Sequence, residues 1–131
     1  MKNMIKENYF KLMVFAGIMM GISSCTDETT VPTIDKYLGD WSCKETPSTG
    51  GSTTFTITIS GNGSEDTLDV YNFDNLGANE KAIFIVNDNS VVIPSQTVSG
   101  FTVGGYGTYS SGKINLNYSV DSDSYTAVCT Q

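Results

Sequence analysis

Two segments alternate apolar and polar residues without an error, and this pattern governs what the chain can become. Residues 53–60 (TTFTITIS) place Phe55, Ile57 and Ile59 on one face, with Thr54, Thr56, Thr58 and Ser60 on the other. Residues 113–120 (KINLNYSV) set Ile114, Leu116, Tyr118 and Val120 against Lys113, Asn115, Asn117 and Ser119. Period two marks a strand with one dry and one wet face; a helix would scatter the same apolar side chains around its circumference. Two further runs, 82–86 (AIFIV) and 91–93 (VVI), are apolar at every position and read as more central strands. From Gly39 onward Leu and Ala are scarce while Thr, Val, Ile and Tyr are plentiful, which favours extended backbone.

Turn chemistry separates these runs. Pro47 to Gly51, Gly61-Asn62-Gly63, Asp74-Asn75-Leu76-Gly77, Asn87-Asp88-Asn89, Ser111-Gly112 and Asp121-Ser122-Asp123 all combine residues that tolerate tight or left-handed backbone. The spacing predicts eight strands near 39–46, 53–60, 67–73, 82–87, 90–98, 102–110, 112–120 and 124–130. Such a series makes an all-β domain of antiparallel strands, either an up-and-down barrel or a β-sandwich. At 131 residues the chain has room for one such domain, placed at 37–131.

The segment before it is of another kind. Lys2, Lys6 and Lys11 precede an apolar run from Leu12 to Ile22, which is too short to span a bilayer core needing roughly 20 residues. A basic start followed by a short apolar run and small residues reads as a secretory signal peptide over 1–24, preceding the barrel as a helix. The run ends in Ile22-Ser23-Ser24-Cys25, which resembles the lipobox of bacterial lipoproteins. That resemblance implies cleavage before Cys25, acylation of Cys25 and membrane attachment through the lipid. Thr26-Asp27-Glu28 looks like the acidic export signal of surface lipoproteins in the Bacteroidota, which implies a cell-envelope, outer-membrane location facing outward. Residues 25–36 then read as a lipidated flexible tether. From Cys25 on, four Lys stand against thirteen acidic residues, a net charge of −9.

Charge and composition exclude several functions. There is no His, and all seven basic residues are Lys, so Ser-His-Asp and Cys-His catalysis and imidazole metal sites are ruled out. An acidic chain without a basic face does not bind nucleic acid. Asp121-Ser122-Asp123 lacks the third ligand, the Gly and the distal Glu of a calcium loop. Asp66, Asp69 and Asp74 offer carboxylates near strand ends without a cleft to hold them. Gly104-Gly105-Tyr106-Gly107 has neither the following helix nor the Lys of a phosphate loop and reads as a site of strand bending. The expectation is a protein without enzymatic activity, cofactor or metal.

With Cys25 acylated, Cys43 and Cys129 remain, and in an oxidising compartment such a pair forms a disulfide. One lies in the first expected strand and one in the last, so those strands are neighbours. A meander whose ends touch is a closed barrel. Parity then puts Trp41 with Cys43 on one face and Tyr125 with Ala127 and Cys129 on one face.

Gly39-Asp40-Trp41, opening the first strand, looks like the Gly-x-Trp signature of lipocalins and the wider calycin group. The resemblance implies an eight-stranded up-and-down barrel with Trp41 plugging its closed end and a mouth able to take an apolar ligand. The Arg that usually packs over this Trp has no counterpart here, and the chain is shorter than a typical lipocalin. A barrel of eight strands is just wide enough to be filled by side chains or to hold one small ligand. Trp41, Phe55, Ile57, Ile59, Tyr118 and Tyr125 are the candidate interior or ligand-lining residues. Tyr71, Tyr106 and Tyr109 could form a surface that stacks on sugars or meets a protein. Two function classes follow. One is a lipid-anchored module binding a small apolar or glycan ligand; the other is an interaction lipoprotein whose filled barrel docks an envelope protein.

Overall fold

The computed structural model describes residues 34–131. Cys25, the expected signal peptide and residues 25–33 of the expected tether lie outside the described residues. Eight antiparallel strands follow one another around a closed barrel, each hydrogen-bonded to its neighbours in sequence and the last to the first. They are β1 (Gly39–Pro47), β2 (Thr53–Gly61), β3 (Thr67–Tyr71), β4 (Lys81–Asn87), β5 (Ser90–Val98), β6 (Phe101–Ser110), β7 (Lys113–Val120) and β8 (Asp123–Thr130). Closure removes the free edges that a sandwich would have to protect. Short 3-10 turns at Asp35–Tyr37 and Phe73–Asn75 lie at opposite ends of the barrel.

The alternation decides which side chains enter. Phe55, Ile57 and Ile59 from β2 and Ile114, Leu116, Tyr118 and Val120 from β7 are all buried. They meet Trp41, Leu68, Val70, Phe84, Val91 and Val103 in one continuous core. The all-apolar runs 82–86 and 91–93 are not buried on both faces as their composition suggested. Ala82, Phe84, Val86, Val91 and Ile93 point in, whereas Ile85 and Val92 lie outside at 39% and 49% exposure. A single-layered barrel has no central strand; every strand has one inner and one outer face. The third strand also stops at Tyr71 rather than at 73, because Asn72 turns left-handed (φ 61°) and takes Phe73 off the strand path into the barrel.

Cys43 and Cys129 sit directly opposite each other in the β1–β8 register and are joined by a disulfide inside the barrel. It closes the circle covalently where the first strand meets the last. Ser111-Gly112 turns a hairpin as expected, and Ser99-Gly100 turns a second; in each both central residues have positive φ, which matches the twist of the flanking strands.

Curvature comes from β6. A Cβ on Gly105 would stand 2.6 Å from Tyr118 Cα on β7, and one on Gly107 would stand 2.6 Å from Leu116 Cδ2. Only glycine lets β6 approach β7 that closely. Opposite Gly104, the β5–β6 register shifts between Ile93 and Gln96, an irregularity that carries Pro94 and Ser95 out of the ladder.

Candidate functional site

The closed end is sealed by aromatic packing. Trp41 is 1% exposed, and its indole Nε1 donates to the Tyr37 carbonyl at 2.7 Å. Tyr37 Oη donates to the Asp88 carbonyl at 2.7 Å, so the 3-10 turn is tied across this end. Tyr109 meets both rings edge-on, with centroids 5.4 Å from Tyr37 and 6.4 Å from Trp41. Lys36 Nζ lies over the Tyr109 ring at 5.0 Å and pairs with Asp88 at 3.3 Å. Lys36 thus supplies a cation at this end, where the sequence resemblance would have placed an Arg. Burial beside the Asp88 carboxylate pushes the Tyr37 hydroxyl up to about 12, so it stays a donor. Ile34 packs against the same core.

The mouth, at the other end, holds the polar chemistry. Phe73 fills its centre, with ring centroids 5.2 Å from Phe84 and 4.7 Å from Tyr118. Tyr118 Oη donates to Asp74 Oδ1 at 2.8 Å. Glu45, inward on β1 by the same parity as Trp41 and Cys43, is buried at this end of the barrel. Burial, and then the hydrogen bond and charge of Asp74, push the Glu45 carboxyl up to about 7. Tyr118 is driven far above the ordinary tyrosine range by burial and by the same two carboxyls, so its hydroxyl remains a donor at every physiological pH. Tyr125 stacks on Tyr118 with centroids 5.5 Å apart.

An open groove of about 410 Å³ lies against this corner of the barrel. One wall is a row in register on the outer face: Thr46 beside Thr126, Thr126 beside Asn117, and Asn117 beside Tyr106. The other wall is Ser48, Ser124, Ser119 and Gly104, with Ser48 N–H donating to the Ser124 carbonyl at 2.9 Å. Between them run Pro47, Tyr125, Tyr118 and Gly105. Gly104 puts no side chain on the outer face here. No lining residue is charged, although the chain is strongly acidic. Tyr106 stands at the side with 64% of its surface exposed.

The residues expected to line the interior are met in two states. Trp41, Phe55, Ile57 and Ile59 are core residues without access to solvent, and Tyr118 and Tyr125 link the mouth to the groove. Tyr71, Tyr106 and Tyr109 do not share a surface: Tyr106 belongs to the groove, Tyr109 to the closed end, and Tyr71 pairs with Thr58 and Lys81. Nor do Asp66, Asp69 and Asp74 converge. Asp66 is exposed and accepts from Ser64 and Thr67, Asp69 pairs with Lys81 at 3.4 Å, and Asp74 is at the mouth. Glu45 was missed, although its parity with Trp41 and Cys43 was the signal that could have found it. Among the described residues, no three His, Cys, Asp or Glu side chains are grouped to hold a metal ion.

No family profile matches the sequence, and no curated protein does. Solved structures of similar fold exist. One redesigned β-barrel superposes with a TM-score of 0.62 at 13% identity, over 79% of this chain and 98% of its own. A second, mFAP1, solved bound to DFHBI, gives a TM-score of 0.60 at 15% identity, over 77% of this chain and 100% of its own. At such identities the likeness is one of fold: the chain is a closed, eight-stranded, up-and-down β-barrel.

Proposed function

We propose that this chain is a lipid-anchored cell-envelope binding module whose outer groove takes a neutral, hydroxyl-rich ligand of the glycan class. The observation that carries this reading is the absence of charge in the groove of a chain with net charge −7. Threonine, serine and asparagine side chains supply donors and acceptors along both walls, and the exposed Tyr106 ring offers an apolar face for a sugar ring. The interior is filled, so the ligand is held outside the sheet, not inside the barrel. That mFAP1, a barrel of the same fold, is bound to DFHBI supports a binding role for such a scaffold. The anchor rests on Ile22-Ser23-Ser24-Cys25 behind its basic and apolar run.

A second reading, docking of an envelope protein, is favoured by one feature. Ile85, Val92 and Tyr106 are neighbours in register across β4, β5 and β6, and all three are exposed. The test is a glycan array probed with the oxidised full chain and with its Tyr106→Ala variant. Binding of neutral glycans that is lost in Tyr106→Ala supports the glycan reading. A blank array, with an envelope protein cross-linked through the Ile85–Val92 face, would turn the assignment to docking.

A further inference from the structure

Gly61-Asn62-Gly63, a turn by its composition, carries chemistry that a turn does not need. Asn62 is the one asparagine of the chain followed by glycine. The loop it opens, between β2 and β3, lies at the closed end: Gly61 runs beside Ile34, and Asp66 accepts from Val86 N–H next to the turn that Tyr37 binds. It is remote from the groove, so its chemistry is independent of any ligand held there.

Both polar atoms of the exposed Asn62 amide are engaged. Oδ1 accepts from Ser64 N–H at 3.1 Å, and Nδ2 donates to Asp69 Oδ1 at 3.4 Å. The first contact turns the side-chain carbonyl toward the backbone that follows it, and it places a donor where negative charge develops on Oδ1 when Cγ is attacked. The nearest nucleophile is the next backbone nitrogen. Among the described residues Gly63 N–H makes no hydrogen bond, and a Cβ on Gly63 would meet nothing within 4 Å, so the nitrogen is neither tied nor crowded. Glycine's backbone freedom lets it swing toward Cγ, a movement that a side chain would oppose. Every other asparagine precedes a residue with a side chain, and Asn115 and Asn117 are also fixed in β7 between β6 and β8.

We propose that Asn62 is a self-modification site: the Gly63 nitrogen closes on the Asn62 side chain, and residue 62 ages into aspartate and isoaspartate. Gly63 N bonds to Asn62 Cγ as the Cγ–Nδ2 bond breaks, and the proton lost from Gly63 N departs with Nδ2 as ammonia. Water, present around the exposed loop, then opens the cyclic imide at either carbonyl. The aspartate product replaces the Nδ2 donor by a second carboxylate facing Asp69, which is buried and already paired with Lys81 at 3.4 Å. The isoaspartate product also routes the main chain through the side chain, which lengthens the path from β2 to β3 by one methylene. Either product loosens the contact that ties the loop to β3.

The test incubates the purified full chain at pH 8, folded and in urea, and follows the peptide carrying residue 62 by mass spectrometry with fragmentation that separates aspartate from isoaspartate. In the folded chain the amide-to-acid mass gain is expected about tenfold faster at residue 62 than at any other asparagine, since only there does glycine free the attacking nitrogen. Asn62→Gln, whose longer side chain closes such a ring poorly, should abolish it. Asn62→Asp copies the first product and should lower the melting temperature, and that loss should shrink when Asp69→Asn is added. A residue 62 that stays an amide in the folded chain while converting in urea overturns the proposal, because the fold then protects it. Losses that simply add in the double variant would overturn the opposition of residue 62 to Asp69.

Discussion

The Gln96 side chain stands in for a strand. Ile83 N–H donates to Gln96 Oε1 and Gln96 Nε2 donates to the Ile83 carbonyl, each at 2.8 Å. The β4–β5 ladder itself runs only from Ile85↔Val92 to Asn87↔Ser90. Beyond that the irregularity at Pro94–Ser95 draws the two backbones apart, and an amide side chain, which has the donor and acceptor of a peptide group, bridges the gap. The same nitrogen also donates to the Pro94 carbonyl at 3.0 Å, which ties the irregularity to the bridge.

Gln96→Ala should therefore destabilise the barrel by about 1–3 kcal/mol, because the half-buried N–H and C=O of Ile83 lose their partners. Gln96→Glu keeps the acceptor but loses the donor and should fall between the two. Urea unfolding of the three proteins measures this; an Ala variant as stable as the native chain would mean that water replaces the side chain freely.

Gly105→Ala tests the close approach of β6 and β7. The added methyl would fall 2.6 Å from Tyr118 Cα, which is backbone and cannot swing aside. A loss of about 1–3 kcal/mol or more is expected. At Gly104, where the nearest heavy atom is Ser95 Cα at 3.5 Å, the same change should be tolerated. Thermal melts of the two variants should separate clearly, and equal melts would contradict the geometry.

Most of the fold was legible because period two is a local signal that a barrel uses at every strand. Phe55, Ile57 and Ile59, or Ile114, Leu116 and Tyr118, declare their inner face without reference to any partner. Closure was legible too, since a cysteine in the first strand and one in the last can bond only if those strands are neighbours. What stayed hidden depended on partners distant in sequence. Ile85 and Val92 look like core residues until the barrel shows that each strand has an outside. Asp74 reads as an ordinary turn residue until left-handed backbone at Asn72 carries it to Tyr118, 44 residues away. The groove was invisible because its walls come from β1, β6, β7 and β8, which only the register of the closed barrel brings side by side.

The disulfide closes a loop of 86 residues, and its removal should cost roughly 4–5 kcal/mol on chain-entropy grounds. For a domain this size each kcal/mol moves the melting temperature by about 4–8 °C, so reduction should lower it by roughly 20 °C or more. The Cys43→Ala, Cys129→Ala double variant should melt near the reduced protein. Reductant without effect on melting would mean that the thiols are not bridged.

Membrane attachment is checked by Cys25→Ser in the native host. The expected outcome is that the variant leaves the membrane fraction and no longer takes up labelled fatty acid. Continued sedimentation with the envelope would show that Cys25 is not the anchor.

Stability should fall as pH rises across the neutral range, the opposite of the usual behaviour of a carboxylate. Glu45 ordinarily loses its proton near 4.5, and in the folded chain it keeps it to about 7. Between those values the folded state binds a proton that the unfolded chain has released, so folding is favoured most below about 4.5, where both states are protonated. That advantage is lost progressively up to about 7, and above it the loss is complete. The interval corresponds to on the order of 3 kcal/mol at most. Asp66, lowered by hydrogen bonds from Ser64 and Thr67, acts in the other sense, but only below the ordinary aspartate range. Urea midpoints at pH 5 and pH 8 should thus favour pH 5, and Glu45→Gln should remove most of the difference. A native chain more stable at pH 8 than at pH 5 would show that Glu45 is ionised in the barrel and that the mouth does not hold its proton.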